Sequence, residues 1–112
     1  MRKPMSRTRE GELAAQNMAA KAEEVALLLK TLSHPARLMI VCTLVDTELA
    51  VGELEAMLEL HQPHLSQHLT VLRAARIVEP RRAGKQIYYR LTQAKAAELV
   101  GALHAIFCRR PE

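Results

Sequence analysis

A mostly α-helical domain carrying one β-hairpin is the fold class this 112-residue sequence predicts. Apolar residues recur at three- and four-residue spacing along most of the chain, which marks amphipathic helices. Aromatic residues make up only 3% and Trp is absent, so the core must come from Leu, Val, Ile, Ala and Met, a set that favours helices at most positions. Between Ile77 and Leu91 the period becomes two, as in a half-buried hairpin. The length supports one domain with a modest core, which would gain from burying surface against a second copy.

Residues 1–9 are polar and basic, contain Pro4 and lack periodicity, so they read as a mobile arm. The main domain is expected over 10–108, with a short tail at 109–112. From about Glu10 to Leu32, Met18, Ala22, Val25, Leu29 and Leu32 follow a 4-3-4-3 seam suited to a core or a dimer contact. Thr31-Leu32-Ser33-His34-Pro35 ends that helix and begins another, with Pro35 near the first position and Ser33 or His34 as the cap. This second helix, to roughly Val45, is apolar on nearly every side (Leu38, Met39, Ile40, Val41, Cys42, Leu44, Val45), which predicts a central, mostly buried helix. A small core thiol is the plain reading of Cys42.

After the polar break Asp46-Thr47-Glu48, two short helices follow within Val51–Arg76. The first has Leu54, Met57 and Leu58 opposite Glu53, Glu55 and Glu59. The second carries the stripe Leu65, Leu69 and Leu72. Leu60-His61-Gln62-Pro63 separates them, because Pro63 suits a first helical turn and pushes Gln62 away from helical geometry. Once the leucines are buried, His64, Ser66, Gln67, His68, Thr70 and Val71 remain near the opposite face. Gln can bond adenine edges, Ser and Thr can bond bases or phosphates, and Val or Thr methyls can meet a thymine methyl. A solvated helix face has the same composition, so this stretch by itself leaves both readings open.

Charge placement favours the first reading. The chain carries a net +4, yet residues 61–90 hold Arg73, Arg76, Arg81, Arg82, Lys85 and Arg90 against Glu79 alone. A basic cluster beside a helix-turn-helix is the footprint of a polyanion binder. Beyond Arg76, Ile77–Arg82 and Lys85–Leu91 flank Ala83-Gly84 as a hairpin with an Arg-Arg-Ala-Gly-Lys tip. Pro80 cannot donate a ladder bond, so the first strand is expected to be short or to pair through its other edge. Thr92 suits a cap for the last helix, which runs to about Cys108 with Ala96, Leu99, Val100, Leu103, Ile106 and Phe107 on one face. That face is wider than a small domain needs. With the first helix it could form a two-fold interface, presenting two recognition helices about one DNA turn apart.

No run of eighteen apolar residues occurs, so no membrane span is expected. The basic N-terminus lacks an apolar h-region and is not a secretory signal. A cytoplasmic location follows as the expectation, with Cys42 and Cys108 as reduced thiols. A small two-cysteine redox enzyme is a weaker alternative: Cys-x-x-Cys, a βαβ pattern and a base with an oxyanion arrangement are all missing, so no catalytic residue is assigned.

Taken jointly, LLKTLSHPARLMIVCTL (Leu28–Leu44), HLSQHLTVLRAARIV (His64–Val78) and GKQIYYRL (Gly84–Leu91) resemble the second helix, recognition helix and wing of the ArsR/SmtB family of winged helix-turn-helix repressors. The resemblance covers roughly residues 20–108. It implies a homodimer joined through the first and last helices and bound to double-stranded operator DNA. His64, Ser66, Gln67, His68, Thr70, Arg73, Arg81, Arg82 and Lys85 are the expected DNA contacts: Ser66, Gln67, His68 and Thr70 would read bases, while Arg81, Arg82 and Lys85 would meet phosphates or the minor groove.

Metal-sensing members carry a Cys-x-Cys where this chain has Ala50 and Gly52. Its last helix offers only Glu98 and His104 for the family's other metal site. His64 and His68 have an i, i+4 spacing that can hold a metal, but they lie where DNA should bind, as does His61. No metal and no cofactor are therefore assigned.

The placement of Cys42 and Cys108 resembles the sulfide- and persulfide-responsive subgroup. That resemblance implies that reactive sulfur species join the two by a disulfide or polysulfide bridge, which weakens operator binding and releases sulfide-detoxification genes. Arg109 and Arg110 would favour the Cys108 thiolate, whereas a helix C-terminus and burial oppose it. A bridge closing about 67 residues would constrain the chain by roughly 4 kcal/mol in the entropy picture. A metal- or haem-responsive member of the same family is the alternative.

Overall fold

The turn from the first helix to the second is made at Ser33 and His34. In the computed structural model, which describes residues 9–108, α1 spans Arg9–Leu32 and α2 spans Pro35–Thr43. The Ser33 hydroxyl donates to the Lys30 carbonyl at 2.8 Å. His34 is the cap of α2, its extended backbone placing Nδ1 to accept from the Ala36 N–H at 3.2 Å, and Pro35 fills the position where no N–H is needed. The two helices meet at 96°. Arg37 fastens the corner, its Nε donating to the Thr31 carbonyl at 2.7 Å.

The elements that follow are β1 Leu49–Ala50, α3 Val51–Leu58, α4 Gln62–Ala74, β2 Val78–Ala83, β3 Gln86–Leu91 and α5 Ala94–Phe107. The predicted helices and hairpin are present, with β1 added. This two-residue strand pairs antiparallel with β3, Leu49 opposite Tyr89, giving a sheet in the order β1-β3-β2. Of the two expectations for this strand, pairing through one edge holds: β2 lies at the sheet edge and pairs with β3 alone, so it tolerates Pro80 and runs six residues. The two-residue hairpin turn is shifted one residue from the expected Ala83-Gly84. Arg81 and Arg82 belong to β2, and only Gly84 and Lys85 turn between the paired Ala83 and Gln86. Gly84 takes φ +63°, which a two-residue hairpin turn asks of glycine.

Three further boundaries differ from the sequence reading. Gln62 is already helical at the start of α4, with His61 as its extended cap and the break moved back to Glu59, which adopts φ +54°. α2 stops at Thr43. Gln93, not Thr92, caps α5, since Thr92 is tied to Ile77 through both its N–H (2.9 Å) and its hydroxyl (3.3 Å).

The core joins Ile40 and Val41 of α2 and Leu44 at its C-terminal cap to Leu54 of α3, Leu65, Leu69 and Leu72 of α4, Ile77 and Val78, and Ala96 and Val100 of α5. Each large side chain taken fully out of water contributes about 1.5–3 kcal/mol, so the leucine stripe fixes which face of α4 turns inward. Met39 and Met57 are exposed, unlike the expectation of buried positions. Most of α1 stands clear of the body: of its seam, only Leu32 is buried, and Met18 and Leu29 are exposed.

Candidate nucleic-acid interface and cysteine pair

With Leu65, Leu69 and Leu72 inward, helical geometry turns His64, Ser66, Gln67 and Thr70 outward, and all four are exposed, as is Val71. Thr70 is partly occupied, its hydroxyl donating to the Ser66 carbonyl at 2.9 Å, so it presents a methyl and acceptor lone pairs. His68 is half-buried at the α2 side, its ring 4.4 Å from that of His34. Burial lowers its pKa, and the positive fields of His34, Arg37 and His64 add to the effect. His68 is therefore a neutral imidazole near pH 7, able to accept or donate one hydrogen bond.

Arg73 is exposed at the end of α4, between two shallow depressions. One, of about 400 Å³, is shared with Arg76, Val78, Glu79 and Pro80. The other, of about 270 Å³, is shared with Pro80, Arg82, Ile87 and Tyr89. Together they connect the recognition helix to the wing along a basic rim. Arg76, which sequence reasoning credits only with charge, also lines this rim. It does so from a left-handed backbone, φ +62°. Its N–H bonds the Arg73 carbonyl and the Ile77 N–H bonds the Leu72 carbonyl, both at 2.9 Å. This is a Schellman ending, in which glycine is the usual residue. An arginine in a glycine position is a signal that the sequence carries, though the helix end has first to be located.

The wing cations divide into two kinds. Arg82 and Lys85 are exposed and have no ion-pair partner among the described residues. Arg81 is paired with Glu48 at 2.7 Å, and Arg90 with Glu79 at 3.3 Å. Each pair spans the sheet or its strands, and no local pattern in the sequence announces it.

The cysteines are both free thiols, Cys42 half-buried on α2 and Cys108 exposed as the C-cap of α5. α2 packs against α5. Burial pushes the Cys42 thiol pKa up, and negative charge on Cys108 pushes it the same way. Arg109 and Arg110, expected to favour the Cys108 thiolate, lie outside the described residues, as do the tail and nearly all of the basic arm.

Comparison with known proteins places this geometry. Residues 34–80 match the bacterial regulatory protein arsR family. The chain is 59% identical to the biofilm growth-associated repressor of Agrobacterium fabrum, over 91% of this chain and 87% of that protein. It superposes on the crystal structure of the transcriptional repressor BigR from Xylella fastidiosa with a TM-score of 0.82 and 61% identity, covering 86% of this chain and 98% of that one. Reduced HlyU from Vibrio cholerae is similar at 37% identity and a TM-score of 0.79, covering 84% and 99%.

Proposed function

The chain belongs to the arsR family of bacterial regulatory proteins and is a DNA-binding transcriptional repressor, and from that premise we propose that it binds operator DNA as a homodimer and releases it when reactive sulfur species bridge Cys42 and Cys108. One observation carries the DNA reading: the helix bearing the exposed row His64, Ser66, Gln67 and Thr70 has Arg73 in its last turn, and Arg73 shares one surface depression with Arg76 and another with Arg82. These three and Lys85 at the hairpin turn are cations without an ion-pair partner among the described residues. In this reading the polar row and His68 meet base edges in the major groove, while the arginines and Lys85 meet the backbone. The dimer reading is supported by apolar side chains left in water on α1 (Leu13, Met18, Leu27, Leu29) and α5 (Ile106, Phe107). Large apolar side chains exposed on both helices are the kind of surface that a second copy would cover.

The sulfur chemistry follows from the unequal thiols. Exposed Cys108 attacks first, as a thiolate, taking the terminal sulfur of a persulfide R-SSH and releasing R-SH. Cys42 then attacks the inner sulfur of Cys108 and expels HS⁻, leaving a disulfide, with the persulfide as oxidant. Since α2 carries one thiol and α5 the other, the bond ties the central helix to the proposed dimer helix. A change in their angle alters the separation of the two recognition helices.

Intact mass and operator affinity, measured before and after treating reduced protein with glutathione persulfide, test this. A Cys42–Cys108 bridged product with weakened binding, reversed by dithiothreitol and absent in C42S, is expected. Modification without loss of binding would reduce the cysteines to bystanders.

A further inference from the structure

Arg81 is held in a way that sets it apart from the other wing cations. Its Nε donates to Oε2 of Glu48 at 2.9 Å and its Nη2 to Oε1 at 2.7 Å, and its guanidinium carbon lies 5.1 Å from the centroid of the Tyr88 ring. A fork that engages both carboxylate oxygens, over an aromatic face, is the arrangement that fixes a guanidinium in one orientation. Among the described residues Arg82 and Lys85 have no ion-pair partner.

The path of this link matters as much as its geometry. Glu48 is the residue before β1, at one edge of the sheet. Arg81 is on β2, at the other edge. Tyr88, on the central strand, stands in register with both Ala50 of β1 and Arg81 of β2. The side-chain link thus crosses the whole sheet over the central strand. With only two residues, β1 offers few backbone bonds to hold the hairpin, and it runs directly into α3, the first helix of the helix-turn-helix.

We propose that Arg81 is a positioning residue, gripped by Glu48 across Tyr88 to set the wing against α3 and α4, and that Arg82 and Lys85 rather than Arg81 neutralise the DNA backbone. This rests on the reading that the wing meets DNA. Simple electrostatics and the strut make opposite predictions for Glu48. An acid beside a polyanion site weakens binding, so its removal should help; as the anchor of the wing, its removal should hurt.

Operator affinity across a salt series decides the matter, with E48A, R81A, R81K, the pair E48R/R81E against R81E, and R82A/K85A. E48A is expected to lose about fivefold in affinity, the scale of one well-formed exposed pair, although it makes the protein more basic. R81K is expected to fall as far as R81A, because lysine keeps the charge but neither the fork nor the flat face. The salt slope stays at its wild-type value in E48A, R81A and R81K. Exchanging the charges in E48R/R81E restores most of the affinity that R81E alone removes. Tighter binding by E48A, wild-type affinity in R81K, or no recovery on charge exchange would each overturn the strut. R82A/K85A is expected to weaken binding and to lower the slope by about 0.9 for each phosphate left without its cation. An unchanged affinity and slope there would instead place the wing off the DNA, removing the premise and the strut's role with it.

Discussion

The imidazole of His34, which caps α2, lies 4.4 Å from that of His68 on α4, the two rings tilted by 53°. One residue thereby ends its work on the central helix and begins it on the recognition helix. Protonating His68 there means adding charge to a partly desolvated ring faced by His34, Arg37 and His64.

That contact makes stability depend on pH. In the unfolded chain His68 takes up a proton below about pH 6.5, whereas in the folded chain it resists until a lower pH. Between those two values the unfolded state binds more protons, so stability is lost as pH falls through that window. Urea midpoints at about pH 7.5 and pH 5.5 should separate more in the wild type than in H68N. Equal separations would show that His68 does not sense pH in this way.

Gln67 projects from the middle of the exposed row on α4, with a side chain suited to a bidentate contact with adenine. Gln67→Ala should cost about 1–3 kcal/mol on operator DNA and much less on random duplex. Fluorescence anisotropy on both duplexes measures this, and equal losses would assign Gln67 no part in specificity.

Arg76 occupies a left-handed position that costs an ordinary residue about 1 kcal/mol and glycine almost none. R76G should leave stability unchanged or raise it by up to about 1 kcal/mol, while weakening DNA binding and reducing its salt slope. Denaturant titration and salt-dependent binding on the same variant separate the two effects. A variant that is more stable and binds as well as wild type would remove Arg76 from the interface.

Phe107 is 79% exposed at the end of α5, next to Ile106 at 58%. In a dimer closed by α1 and α5, F107E buries a charge among apolar side chains, which is unfavourable unless the charge is paired. Light scattering should then show the mass of a single 12.5 kDa chain where the wild type shows two. A wild-type monomer, or an F107E dimer, would move the interface elsewhere.

The elements legible in the sequence are those whose signal is local. Leu65, Leu69 and Leu72 stand one helical turn apart and all three are buried; Ile87, Tyr89 and Leu91 alternate on a strand whose partner is reached through a two-residue turn. In each case the apolar spacing determines which face turns inward, and hence which polar side chains on α4 are left outside. What only the tertiary structure decided lies between residues distant in the chain. β1 is too short to show any alternation and exists because Leu49 and Ala50 meet β3. Thr92 gives up its capping role because Ile77 is within reach. Arg81 reads as one more free cation until the sheet brings Glu48 to it. Periodicity records how a segment meets water and core; it carries nothing about which distant charge, ring or carbonyl will arrive beside a given side chain once the core has closed.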